Sequence, residues 1–234
     1  MYFAHDPAIW SAFPTLVPGV LLIDGIRPDV NISARLPPLF ERARARLAGA
    51  TESDLPEVQA WRRAFSQMGL KPTQYRSAAE ALLRRFRKED RLPRLHPLVD
   101  LCNAVSLAFA LPVAVIDLDH VEGFIRVRHA DGDEWALAFS GEEEHPEPGE
   151  VIFADAARWV HARRWTFRQS KHSTVSDGTR RALIVSEGLH ATAITDVAAL
   201  LDTLEAELVS AGFAAARRAI LSAAAPRWDE GGGQ

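Results

Sequence analysis

The chain has 234 residues, 47% hydrophobic and 25% charged, with 27 basic against 31 acidic side chains and a formal charge of −4. That length and apolar content support a substantial core and exclude a disordered polymer, and the charge excludes a strongly basic nucleic-acid wrapper. No apolar run reaches the roughly 18 residues of a membrane-spanning helix, and a single cysteine, Cys102, excludes an internal disulfide framework or a site of several thiolates. The opening MYFAHDPAIW lacks a secretory pattern, so a cytoplasmic protein is expected.

In chain order, the first 35 residues read as short strands and turns. Val17 to Ile23 is apolar despite Pro18 and Gly19, and Asp24-Gly25 marks a turn. Leu39 to Ala48 and Glu57 to Met68 read as helices, separated from the next element by Gly69 and Pro72. Ser77 and Glu80 have capping-box spacing, and Ala78, Ala79, Leu82, Leu83 and Phe86 form the apolar stripe of the next helix. Pro93 and Pro97 bracket a stiff connector before a helix over Leu98 to Ala110. Val113 to Ile116 and Gly123 to His129 read as strands, with Trp135 to Phe139 returning after the Asp131-Gly132 turn as a partner strand. Gly141 to Gly149 is expected to be an exposed acidic loop, followed by strands at Val151 to Phe153 and Ala182 to Val185. Trp165 and Phe167 alternate with Thr166 and Arg168 as in a strand. A final long helix spans Asp196 to Val209 and stops at Gly212, with a shorter helix before Pro226 and a loose tail beyond Trp228. The mixture predicts a compact α+β fold, its largely antiparallel or mixed sheet packed by helices.

Charge is unevenly distributed. Trp61 to Asp100 holds ten basic against four acidic residues, a local +6, and Arg158 to Arg181 holds seven against one, again +6. Between them, Asp133 to Asp155 carries eight acids and no Lys or Arg. The pattern allows opposed electrostatic faces, one of them turned toward a polyanion; a compositional excess of arginine explains it equally.

Among residues able to do chemistry, Cys102 is a candidate nucleophile, with the alternative of a buried small hydrophobe. Asp117-Leu118-Asp119-His120 brings donors together but matches no ligand framework, and neither a Walker loop nor a dinucleotide glycine fingerprint is present. No metal or cofactor is expected. The densest polar run is RRWTFRQSKHSTVSDGTRR, where Trp165, Arg168, Gln169, His172 and Thr174 could line a pocket or hold the end of an RNA. An edge strand with a charged loop is the competing reading.

The stretches YRSAAEALLRR, LPRLHPLVDLCNAVSLAFALPVAVIDLDHVEGFIRVRHADGDE, PGEVIFAD and RRWTFRQSKHSTVSDGTRRALIV, from about Lys71 to Glu187, together resemble the B3/B4 domain of the bacterial phenylalanyl-tRNA synthetase beta subunit, and most closely the freestanding B3/B4 proteins. The resemblance implies a B3/B4-like domain over 71–212, with 1–70 as N-terminal strands and helices integrated with its core and 213–234 as a C-terminal extension. It implies a trans-acting hydrolase for the ester of a misacylated tRNA, with the charged tRNA 3′ end as partner. A tRNA-, RNA- or small-molecule-binding module that has lost catalysis is the alternative. Asn103 matches the family asparagine that positions substrate or water, and Cys102 takes the place of the neighbouring threonine. Tyr75, Arg76 and Ser77 are expected in an adjoining wall. Two family residues are replaced: Ala114 stands where the family has a histidine, and Thr174 where it has the glutamate that reads a tyrosine hydroxyl. Tyrosine specificity is therefore not expected.

Overall fold

The computed structural model describes residues 1–231. In chain order its elements are β1 (Tyr2–His5), α1 (Pro7–Ala12), β2 (Val17–Asp24), α2 (Leu36–Leu47), α3 (Pro56–Gln67), α4 (Ala78–Glu89), α5 (Pro97–Phe109), β3 (Val113–Asp117), β4 (Phe124–His129), β5 (Ala136–Leu137), β6 (Glu143–Glu144), β7 (Val151–Ala154), β8 (Val160–Arg163), β9 (Arg168–Gln169), β10 (Arg181–Gly188), α6 (Ala193–Ser210), β11 (Ala214–Ile220) and β12 (Arg227–Asp229). The protein is α+β, as its sequence pattern implies.

Two sheets carry the architecture. An antiparallel four-stranded sheet runs β11-β2-β10-β3, with Leu22 opposite Leu183 and Ile116 opposite the same Leu183. A six-stranded sheet runs β12-β1-β4-β7-β8-β9, mixed because β1 and β4 are parallel. Side chains along a strand alternate faces, and β2 and β10 use this to feed two cores. Leu21, Ile23, Ala182 and Ile184 pack with α5 and α6, whereas Val20, Leu22, Leu183 and Val185 pack with Phe3, Ile125, Phe153 and Trp165 of the six-stranded layer. Burial on both faces explains why β2 and β10 read as nearly continuous apolar runs. Gly19 is dictated by packing: a Cβ there would lie 2.6 Å from Val197 and 2.9 Å from Leu201 on α6.

The helices follow their sequence signals, with prolines placed inside the first turn where a missing N–H costs nothing. Pro37 and Pro38 thus open α2 rather than precede it. Ser77 caps α4, its Oγ accepting from Glu80 N at 3.3 Å, but the reciprocal half of the expected box is absent. The buried Glu80 carboxylate is taken instead by Arg62, at 2.6 and 3.1 Å.

Five local expectations are corrected. Residues 7–12 form a helix among what read as strands and turns. Trp135 to Phe139 does not pair with β4; that place goes to β7, while β5 pairs with β6 inside the acidic segment. Trp165 is not in a strand, because Arg164 and Trp165 take left-handed backbone angles (φ 47° and 59°) and the chain turns there. Helix is likewise absent before Pro226: β11 pairs with β2, and the segment beyond Trp228 is held through β12, with Glu230 bonded to the Met1 ammonium at 3.0 Å. Residues 232–234 of that expected loose tail lie outside the described residues. No helix among the described residues is long and apolar enough to cross a membrane.

Candidate functional site

A cleft of about 340 Å³ opens where the start of α5 meets β3, β9 and the loop after Ser173. Its α5 wall is made by His96, Val99 and Asn103. Those positions are three and four apart and so share one helix face. Val113 and Val115 of β3, Gln169 of β9, and Thr174 complete the interior, and Asp177 stands at the rim. Leu95 and Phe139, 67% and 60% exposed, flank the mouth.

Asn103 has an uncommitted amide: none of its side-chain atoms is hydrogen bonded among the described residues. Asn103 lines the cleft, so its amide donor and acceptor are available to a ligand or water there. His96 is the N-cap of α5, and its Nδ1 accepts from Leu98 N at 3.2 Å. That bond fixes the tautomer, because an accepting Nδ1 leaves the proton on Nε2. Nε2 is buried and has no partner among the described residues, so it is an N–H donor without an acceptor there. Burial pushes the imidazole below its ordinary range, against the pull of Asp177 and Asp100. Neutral His96 is consequently a hydrogen-bond donor at neutral pH rather than a cation. Asp100 braces this corner, accepting from Leu95 N at 2.9 Å.

Gln169 spends its amide donors on Val115 O at 2.7 Å and Ser173 O at 3.5 Å. It stands between the cleft and a second, smaller cavity of about 60 Å³, lined by Ala114, Trp165, Thr166, Phe167, Arg168 and Glu187 among others. Glu187 is a fully buried carboxylate there, held by His5 Nε2 at 2.5 Å and Trp165 Nε1 at 2.9 Å. Trp61 Nε1 donates to its main-chain oxygen at 3.3 Å.

Of the residues singled out from sequence, the structure brings Asn103, Gln169 and Thr174 into the larger cleft, and Trp165, Arg168 and Gln169 to the smaller cavity. Cys102 is corrected. It is 1% exposed among the α5 core side chains, and burial pushes its thiol far above the ordinary value, so it supplies no thiolate. Neighbours on a helix point about 100° apart, which sends Cys102 into the core and Asn103 into the cleft. Trp165 has no exposed surface; it packs edge-on against Trp61 and Phe13 with ring centres 5.0 and 4.8 Å away. Ser77 is buried as a helix cap, and Arg76 lies 3.4 Å from Glu80. Tyr75 packs against Phe167, with the Arg164 guanidinium 4.9 Å from its ring centre. His172 lines neither cavity and stacks on Trp159, ring centres 4.1 Å apart.

Sequence reasoning misses His96 and Phe139, although the spacing of His96, Val99 and Asn103 already places them on one face. Glu187 gives no local signal, since the residues that hold it come from β1 and from the turn at 164–165.

The opposed electrostatic faces do not form. Acidic and basic runs fold onto each other: Arg158 pairs with Asp131 and Asp133, Arg163 with Glu144 and Glu150 at 2.6 and 2.8 Å, and Arg168 with Glu144. In the first basic cluster Glu80, Glu89 and Glu52 take Arg62, Arg85 and Arg87. Among the described residues Arg63, Lys71, Arg84, Lys88 and Arg91 keep no acidic partner. Arg84, Lys88 and Arg91 follow one side of α4 and its end.

The family model of the B3/4 domain matches residues 60–207. No curated protein matches the chain. Among solved structures, the chain is similar to an N-terminal fragment of the phenylalanyl-tRNA synthetase beta subunit from Pyrococcus horikoshii, with a TM-score of 0.46 and 10% identity. The match covers 90% of this chain and 49% of that one, so the chain spans about half its length.

Proposed function

The chain belongs to the B3/4 domain family, and from that premise we propose that it hydrolyses the ester linking an amino acid to the terminal ribose of a tRNA, using the cleft at Asn103. The observation that carries the reading is the uncommitted Asn103 amide in a cleft of about 340 Å³ that His96, with its buried and unpartnered Nε2–H, also lines. That volume suits an amino-acid side chain and its ester group.

In the reaction, water adds to the ester carbonyl carbon, and the carbonyl oxygen gains negative charge. The bond from carbon to the ribose oxygen then breaks, and a proton passes to that oxygen, releasing the free amino acid. Two preorganised donors on the carbonyl oxygen or the attacking water stabilise the charge as it develops. The neighbouring ribose hydroxyl assists proton transfer; Asp177 is the one carboxylate lining the cleft among the described residues. Ala114, at the family's histidine position, lines the smaller cavity instead, and His96 brings an imidazole to the cleft from the α5 cap. Phe139 at the mouth offers a stacking surface for the terminal adenine, while Arg84, Lys88 and Arg91 offer phosphate contacts on α4.

Ala114 and Thr174 also favour a second reading, a tRNA-binding module without turnover. A non-hydrolysable amide of aminoacyl-adenosine tests where the substrate sits. Titration followed by NMR is expected to shift the Asn103 side-chain amide and the His96 ring, leaving Trp159 and His172 unmoved. Shifts confined to residues outside the cleft would overturn the assignment of the site.

A further inference from the structure

Three side chains distant in sequence meet where α3 begins and where β10 hands over to α6. Glu57 is the second residue of α3, His190 lies two residues beyond β10, and Asp196 is in the first turn of α6. One potential ligand atom from each lies within 4.8 Å of the others. None of the three lines either cavity.

Their hydrogen bonding is incomplete in a particular way. His190 Nε2 and Asp196 Oδ2 are 2.8 Å apart, and Thr192 Oγ1 donates to the same oxygen at 2.6 Å. Arg46 pairs through Nη2 with Glu57 Oε1, and its own Nε is buried without a partner among the described residues. Glu57 Oε2 and His190 Nδ1 are left buried without a partner, on residues each 6% exposed. With Nε2–H given to Asp196, Nδ1 is an acceptor, as is the carboxylate oxygen. Two buried acceptors cannot satisfy each other, and leaving both bare is costly. An electron-pair acceptor within reach of both would satisfy both.

We propose that Glu57, His190 and Asp196 form a site for a zinc-class divalent cation. Glu57 Oε2 and His190 Nδ1 are its ligands. Asp196 holds the ring by accepting Nε2–H, the arrangement that orients metal-bound histidines, and water completes the shell. A mixed nitrogen and oxygen donor set suits Zn²⁺ and its analogue Co²⁺, not Mg²⁺, which takes oxygens. Tetrahedral ligands of zinc stand about 3.4 Å apart, so binding draws the cluster inward and fastens the end of β10 to α3.

The test uses the full chain, stripped with chelator. Zn²⁺ titration by calorimetry and Co²⁺ titration by visible absorption are expected to show one ion per chain, with a raised unfolding temperature. His190→Ala and Glu57→Gln are expected to weaken binding at least tenfold. Should Glu57→Gln fail to fold, Asp196→Asn on the open side of the cluster carries the same expectation. No saturable binding, or wild-type binding in the variants that fold, would overturn the site. Stability that responds to pH but not to Zn²⁺ would overturn it too, by showing that the acceptors share a proton.

Discussion

Asn103→Ala is expected to lower the rate of the proposed aminoacyl-ester hydrolysis by about a hundredfold and to leave tRNA affinity unchanged. The size follows from the role: losing one preorganised donor to a developing oxyanion costs about 10²–10³ in rate. The affinity is expected to hold because Asn103 lines the cleft, whereas phosphate contact is assigned to Arg84, Lys88 and Arg91. Folding is expected to survive, since the Asn103 side chain is hydrogen bonded to nothing among the described residues and its removal strands no buried partner. Single-turnover release of amino acid and tRNA binding, measured on the same preparations, check both halves. Equal losses of rate and affinity would make Asn103 a binding residue, and loss of neither would remove it from the site.

Trp165→Ala is expected to be the most damaging single change to stability. The side chain is fully buried against Trp61 and Phe13, and its indole N–H is one of the two side-chain contacts holding the Glu187 carboxylate. Truncating a buried tryptophan costs about 3–5 kcal/mol, and the carboxylate left short of a donor adds to it. For a chain of this size the unfolding midpoint should fall by about 10 °C or more. Thermal and urea unfolding measure it. Unchanged stability together with weakened RNA binding would contradict the packing role and make Trp165 a stacking surface.

Trp165 also marks where local sequence patterns stop being informative. Trp-Thr-Phe-Arg alternates as a strand does, and nothing local announces that Arg164 and Trp165 turn the chain through left-handed angles. That conformation costs L-residues about 1–2 kcal/mol each, and the burial of Trp165 in the core offsets it. Helices α4, α5 and α6 are legible because their apolar spacing and caps are local. β2 and β10 are legible as apolar runs, though their pairing is not. Charge is the least legible property. Runs 133–155 and 158–168 look like opposed surfaces only until folding places Glu144 and Glu150 on Arg163 and Arg168. Within the proposed site, Asn103 is suggested by a family resemblance, while His96 lies in plain view at helical spacing from it. Its importance comes from an unpartnered nitrogen, which no sequence displays.

Hydrolysis by the wild-type chain across a panel of correctly and incorrectly charged tRNAs tests the central claim most directly. The account predicts selective release of amino acid from particular mischarged tRNAs, with correctly charged ones spared. Folded protein that binds tRNA and releases amino acid from none of them would contradict it and leave a binding module in its place.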